Sequence, residues 1–180
     1  MEETTQSIPE DAVWVADSGV FIACGRQQGS KYTALERFAQ RNGITFVIPQ
    51  RVYEELGGAP ERSTPGQSPI NSAIDSGWVT VADELDYTNA TVSSVMDDIR
   101  SFIASNSNRS EDAIEKADTA LGGVAAQLLI SESASAVCIL TTDVDAGTGV
   151  VAVLEAHGFE GQISFKDGFE LIAELTSSTP

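Results

Sequence analysis

Short apolar runs alternate along the chain with longer segments in which apolar residues recur every three or four positions. The runs with strand character are VWVA (13–16), ITFVI (44–48), WVTVA (78–82), AVCILTT (136–142) and QISF (162–165). They are nearly continuous in apolar character rather than strictly alternating, which is typical of strands that are covered on both faces. The pattern therefore predicts a buried parallel sheet.

Helical spacing fills the intervals between these runs. The predicted helices cover residues 31–41, 50–56, 68–77, about 89–105, about 111–131, about 148–157 and 169–175. Ser68 and Pro69 form a typical start for the third helix, and Gly77 and Gly158 are expected to end the third and the sixth. Strands that alternate with helices predict an α/β fold with right-handed crossovers.

The length of the chain favours one domain over residues 1–180, with a core at about 13–170. The stretch GGAPERSTPGQ (57–67) is interpreted as a surface loop. No apolar stretch reaches the length of a transmembrane helix, and the polar start MEETTQSIPED does not have the pattern of a signal peptide. Cys24 and Cys138 are expected to be buried free thiols, which suits a reducing compartment. We therefore expect a soluble, cytoplasmic protein without a membrane partner.

The charge balance is unusual, because 27 acidic residues against 10 lysines and arginines give a net charge of −17. The acids are spread along the whole chain, so they do not form an acidic tail. Three explanations compete: the solvated surface of a halophilic protein, an acidic protein-binding surface, and mimicry of nucleic acid. The first is favoured, since molar salt shortens the Debye length to about 3 Å and screens the repulsion among surface charges.

Several carboxylates follow directly on predicted strands. Asp17 ends the first strand, Asp143 ends the fourth, and Asp145 comes two residues later, while Glu54 and Glu55 follow the second strand. Ligands of open parallel sheets bind at the carboxyl ends of the strands, so these side chains are expected at one rim. Singly, Asp17 could cap the next turn, and the glutamates could belong to a solvated helix face.

One further acid, Asp118, lies within a predicted helix. It shares an apolar stripe with Ile114, Leu121, Ala125 and Leu128. A carboxylate on such a stripe is costly unless it is paired. Gly122 and Gly123 follow it and are expected to let another backbone approach closely.

Acids that converge without basic partners cannot all ionise unless a cation neutralises them. Hard divalent ions such as Mg²⁺ take oxygen ligands, and a site of this kind suits phosphodiester hydrolysis. The only histidine, His157, stands near a predicted helix end and is interpreted as a partner of the helix dipole. Serine–histidine and cysteine–histidine mechanisms are therefore not expected.

Four segments together resemble the acidic motifs of PIN-domain nucleases, in the order of that family. They read VWVADSGVFI, IPQRVYEEL, ADTALGGVAAQL and ILTTDVDAG, and the resemblance covers about residues 13–170. It implies a three-layer α/β/α fold with a central parallel sheet of about five strands. It also implies cleavage of RNA that depends on Mg²⁺ or Mn²⁺.

The resemblance also implies roles for individual residues. The implied catalytic acids are Asp17, Glu55, Asp118 and Asp143. The implied metal ligands are Asp17, Asp118, Asp143 and the accessory Asp145. Glu55 is preferred as the second acid because it directly precedes the aliphatic Leu56, and Glu54 is the alternative. Ser18 and Thr142 match hydroxyl positions that support the acids in the family.

Substrate phosphates are predicted to contact cations near the first helix, with Arg26, Lys31 and Arg51 as candidates; the alternative is that they are isolated surface cations. RNA is the expected substrate, and an antitoxin-like protein and a second copy of the chain are the candidate protein partners. The chain is longer than compact toxin nucleases and lacks the cysteine pairs of the zinc-binding ribosome-maturation branch, which leaves toxin and RNA-processing roles open.

Two other functions compete with a nuclease. A phosphatase or phosphotransferase could use Asp17 as its nucleophile, but VADSG lacks the second aspartate two residues on that such enzymes commonly carry. A PIN-like scaffold could bind RNA or a protein without cutting, although all of the expected acids are present.

Overall fold

The sheet is built from five strands in the part of the chain that the structure, a computed structural model, describes: residues 8–9, 11–25, 29–57, 69–107 and 116–177. The strands are β1 (Val13–Ala16), β2 (Phe46–Ile48), β3 (Val79–Val81), β4 (Val137–Thr141) and β5 (Ile163–Asp167). Their order is β3-β2-β1-β4-β5, and every neighbouring pair is parallel. Each strand overlaps a predicted run.

Helices connect the strands. Within the described ranges they are α1 (Ser18–Cys24), α2 (Ser30–Asn42), α3 (Gln50–Glu55), α4 (Pro69–Asp75), α5 (Ala90–Ser107), α6 (Lys116–Ile130), α7 (Val144–Leu154) and α8 (Gly168–Ser177). Helix α1 was not predicted from the pattern, and α7 begins at Val144 rather than at about residue 148. The expected cap Ser68, residues 58–67 of the predicted loop and residues 111–115 of the predicted fifth helix lie outside the described residues.

Alternate residues of the central strands separate two apolar cores. Trp14 and Ala16 of β1 face a core formed with α1, α2, α3, α4 and α8. Val15 faces the second core, which is formed with α5, α6 and α7. The predicted α/β fold is therefore confirmed as a three-layer α/β/α arrangement.

The chain order of the strands reverses at the centre of the sheet. From β1 the chain moves outward through β2 and β3, and it then returns to β4 and β5 on the other side of β1. The carboxyl ends of β1 and β4 thus flank the topological switch point, where open α/β sheets place their ligand crevices.

Helix α7 ends at Leu154, a few residues before the predicted end at Gly158. It passes into a short π-helical turn at Glu155–Phe159, and Gly158 leaves the helical conformation with a φ of 99°. His157 in this turn lies with Nε2 2.8 Å from Oδ2 of Asp98 on α5. The histidine lies in the last turn of this helical segment, where the sequence placed it as a partner of the helix dipole, and it also contacts a carboxylate of α5.

Both cysteines are buried free thiols, as expected. Burial raises the pKa of Cys24 to about 11 and that of Cys138 to about 12. Among the helices of the described residues, none is both long and apolar enough to cross a membrane.

The glycines after Asp118 fit α6 closely against α5. A Cβ at Gly122 would lie 1.9 Å from Cδ1 of Ile99, and a Cβ at Gly123 would lie 2.9 Å from the sulfur of Met96. The close approach predicted from these glycines is present, but the neighbouring atoms belong to side chains, mainly of α5, rather than to another backbone.

We predict that Gly122→Ala lowers the free energy of unfolding. Overpacking of a core typically costs about 1–3 kcal/mol, which outweighs the roughly 1 kcal/mol of helix propensity that alanine adds. Ile99→Val removes Cδ1, the atom in the way, so Gly122→Ala should destabilise the Ile99→Val protein less than the wild type. Denaturant unfolding in molar KCl measures all four proteins of this cycle, and strictly additive effects would contradict the packing explanation.

Candidate functional site

Asp17 connects the first strand to the first helix. It follows the last residue of β1 and caps α1, where its Oδ1 accepts a hydrogen bond of 2.8 Å from the backbone N–H of Ser18. Its Oδ2 accepts a second hydrogen bond, of 3.0 Å, from the hydroxyl of Thr141. The side chain is buried, with 7 % of its surface exposed. The capping role considered from the sequence is therefore confirmed, and the second hydrogen bond ties the same carboxylate to β4.

Thr141 bridges the ends of β1 and β4. Its fully buried hydroxyl donates to Asp17 and accepts the backbone N–H of Asp143 at 3.1 Å. Asp143 in turn caps α7, because its Oδ1 accepts the backbone N–H of Ala146 at 3.1 Å. One hydroxyl thus fixes the two strand-ending acids relative to each other at the switch point.

Sequence reasoning named Thr142 as the supporting hydroxyl and missed Thr141. The hydroxyl of Thr142 lies instead against α1, since a Cβ at Gly19 would be only 2.2 Å from its Oγ1. The parallel register pairs Ala16 with Leu140, which places Asp17 beside Thr141. That register is the signal that would have identified Thr141, and a single sequence does not contain it.

Ser18 links Asp17 to the end of α3. Its hydroxyl donates a hydrogen bond of 2.9 Å to Oε2 of Glu55, which is the last residue of α3 and is exposed. Glu54 has a different partner, because its Oε2 lies 3.8 Å from the guanidinium of Arg51. Of the two glutamates that the sequence left open, Glu55 is the one that is hydrogen-bonded to the neighbour of Asp17.

Asp118 lies in the first turn of α6, where an acid interacts favourably with the helix dipole. It is buried, with 4 % of its surface exposed, and α6 contacts β1, β4 and α3. Leu121 and Ala125 of the predicted stripe are fully buried with it, and Leu128 is half-buried. Ile114 lies outside the described residues.

The remaining predicted residues are more peripheral. Asp145 is exposed in the first turn of α7, and Arg51 is exposed on α3. Lys31 is exposed on α2, and its charge acts on the Cys24 thiol at the far end of α1 from Asp17. Arg26 lies outside the described residues.

The donor set around the switch point consists of carboxylates and hydroxyls, which are the oxygen ligands that Mg²⁺ and Mn²⁺ prefer. Among the described residues, no three His, Cys, Asp or Glu side chains stand close enough together to hold one metal ion. The convergence predicted from the sequence is therefore not present as a ready-made cluster of ligands. The chemistry of the donors still fits Mg²⁺, which usually takes one or two protein carboxylates and completes its shell with water and substrate phosphate.

A three-layer α/β/α fold with acids at the switch point of its sheet is a general setting for ligand binding. The family model described as "Halobacterial PIN domain" matches residues 10–179, so the chain belongs to the halobacterial PIN-domain family. The resemblance recognised from the four acidic motifs is thereby confirmed. Membership of a halobacterial family also supports the halophilic explanation of the −17 charge. A comparison with curated proteins gives no match.

Proposed function

We propose that this protein is an endoribonuclease that hydrolyses RNA phosphodiester bonds with Mg²⁺ or Mn²⁺, using Asp17, Glu55, Asp118 and Asp143. The observation that carries the proposal is the burial of two acids, Asp17 directly after β1 and Asp118 in the first turn of α6, with 7 % and 4 % of their surfaces exposed. Asp17 is held at the switch point by hydrogen bonds from Ser18 and Thr141, and acids at the ligand crevice of an open sheet are suited to bind a cation. Membership of the halobacterial PIN-domain family supports the same conclusion.

The metal would be held by one or two of the acids Asp17, Asp118 and Asp143, with the exposed Asp145 as an accessory acid, and water and substrate phosphate would complete its shell. When bound, a divalent ion supplies a hydroxide nucleophile from water and stabilises the leaving oxygen. Thr141 orients the Asp17 carboxylate and the backbone of Asp143.

Glu55 would act as a general base rather than as a metal ligand. Its carboxylate is exposed and held by the hydroxyl of Ser18, so it can accept the proton that the attacking water releases. Ser18 would then act as a positioning residue for this acid.

Thr141 provides a prediction about the support of the site. We expect Thr141→Val to reduce Mn²⁺ affinity or cleavage about 10- to 100-fold, as is usual when a group that orients a metal ligand is removed. Thr141→Ser keeps the hydroxyl and should stay close to the wild type. Titration with Mn²⁺ and cleavage rates in molar KCl compare the two variants. Equal behaviour of valine and serine at this position would rule out an orienting role for the hydroxyl.

The proposed activity is tested with purified protein and a labelled single-stranded RNA in molar KCl. Cleavage should require Mn²⁺ or Mg²⁺ and should stop when a chelator is added. The alternative function, a scaffold that binds RNA or protein without cutting, is favoured by the lack of three clustered ligands among the described residues. Binding of RNA without cleavage at any metal concentration would support the scaffold and contradict the nuclease.

A further inference from the structure

A cavity of about 680 Å³ lies between α3, α5, α6 and the segment that follows β3. Its lining includes Glu54 and Thr119, the chain neighbours of Glu55 and Asp118. The volume lies in the range of about 300–1,000 Å³ that is typical of small-ligand sites. The space is therefore large enough for one or two nucleotide units.

An aromatic side chain stands at this cavity on a braced segment. Tyr87 lines the cavity and has 67 % of its surface exposed. The amide of Gln127 on α6 accepts the backbone N–H of Asp86 at 2.9 Å and donates to the carbonyl of Glu84 at 3.0 Å. The hydroxyl of Ser93 donates to the carbonyl of Tyr87 at 2.7 Å. These bonds fix the backbone on both sides of Tyr87 and attach it to the helix that carries Asp118, so little ordering is needed on binding.

Two of the chain's ten lysines and arginines, Arg51 and Arg100, also line the cavity. Three carboxylates line it as well, those of Glu54, Asp83 and Glu84. The local balance of charge is therefore not positive, and long-range attraction of phosphate would be weak. The arginines can nevertheless donate short hydrogen bonds to phosphate oxygens.

The apolar part of the cavity suits a nucleobase. Leu85 and Met96 contribute apolar surface beside the exposed ring of Tyr87. Stacking of a base on an aromatic side chain does not depend on charge, whereas phosphate contacts weaken as salt rises. A protein with a charge of −17 that works in molar salt would have to obtain much of its RNA affinity from such stacking.

We infer that this cavity is a nucleotide subsite for single-stranded RNA, in which Tyr87 stacks on a base and Arg51 and Arg100 contact phosphates. The base must be unstacked from its neighbours to reach the ring, so the subsite selects single strands over duplex. Binding there holds the strand so that an adjoining phosphodiester reaches Asp17 and Asp118. This inference rests on the proposed function and specifies the substrate and its orientation.

The test is the binding of a fluorescent single-stranded oligoribonucleotide in molar KCl without added metal, followed by cleavage with Mn²⁺. Tyr87→Ala should weaken binding about 10- to 100-fold, in line with the loss of one base–aromatic stack. Tyr87→Phe keeps the ring and should bind as the wild type does. Arg100→Gln should weaken binding, and Arg41→Gln on α2, outside the cavity, should not. Thermal midpoints verify that each variant is folded.

The outcomes separate this inference from the proposed function. If the wild type binds and cleaves the RNA while Tyr87→Ala and Arg100→Gln do the same, the subsite is wrong and the nuclease stands. If the wild type neither binds nor cleaves single-stranded RNA, the proposed function fails and the subsite fails with it. If Tyr87→Ala lowers the affinity by the same factor at every KCl concentration, the lost contact is stacking, because stacking does not depend on charge.

Discussion

Asp17→Asn is expected to reduce metal-dependent RNA cleavage about a thousandfold without unfolding the protein. A metal ion supplies several kcal/mol of transition-state stabilisation, and about 1.4 kcal/mol corresponds to a tenfold change in rate. Asparagine is as good a helix cap as aspartate, and its side-chain oxygen can still accept the backbone N–H of Ser18. The substitution therefore removes the charge and keeps the cap, while the Thr141 hydroxyl, which donates to Oδ2 of Asp17, has to accept the asparagine N–H instead. Single-turnover cleavage at saturating Mn²⁺ in molar KCl measures the effect.

Asp167→Asn is the matched control for this experiment. Asp167 also ends a strand at the same sheet edge, and its Oδ1 accepts the backbone N–H of Phe169 at the start of α8. It is the last residue of β5 and pairs in register with Thr141, but no hydrogen bond between its side chain and Asp17 or Asp143 is present and it is not among the proposed acids, so its variant should cleave at nearly the wild-type rate. Asp118→Asn should resemble Asp17→Asn. Equal losses in all three variants would indicate general damage to this edge, and normal cleavage by Asp17→Asn would exclude it from catalysis.

Both the stability of the fold and the rate of RNA cleavage are expected to rise as KCl is increased from about 0.1 M toward the molar range. The Debye length shortens over this range from about 10 Å to about 3 Å. At low salt the surface carboxylates repel one another, which destabilises the fold, and they also repel RNA. For a basic nuclease, added salt would weaken binding by reducing counterion release. Counterion release should contribute little to RNA binding here, because the chain has 27 acidic residues and only 10 lysines and arginines. The screening of repulsion between like charges should therefore dominate the effect of salt.

The measurement is a thermal midpoint and a cleavage rate over this series at constant Mn²⁺. Sucrose serves as the control, because it favours the compact state by exclusion from the surface and does not screen charge. Sucrose should recover part of the stability, but it should not recover the part of the cleavage rate that depends on screening the repulsion between the protein and RNA. A monotonic loss of both properties with KCl would show that the acidic surface has another purpose.

The architecture could be predicted from the sequence because each strand has its own apolar run. VWVA and VCILT are so apolar that only a doubly covered position suits them, and both have buried neighbours on two faces. Helix α1 was missed because its stabilisation comes largely from the cap at Asp17 and from burial of Val20 and Phe21, rather than from a long periodic pattern. The early start of α7 was missed because the glycines of DAGTG conceal the helix, although the cap at Asp143 begins it.

The sequence predicts those residues of the candidate site whose positions follow from a single strand or helix. Asp17 and Asp143 follow strands, and Asp118 interrupts an apolar stripe, so the sequence marks each of them. Thr141 and Tyr87 required information that a single chain does not contain. The first depends on the register between β1 and β4, and the second on the packing of the segment after β3 against α6.

The central claim is that the acids at the switch point form one metal-dependent site, and the most direct measurement is the shift in thermal midpoint caused by Mn²⁺ in molar KCl. A ligand that binds only the folded state raises its stability by mass action, so the wild type should show a shift that grows with Mn²⁺ concentration. The shift should vanish in Asp17→Asn and persist in Asp167→Asn. No shift in the wild type, or the same shift in Asp17→Asn, would contradict a metal site at these carboxylates.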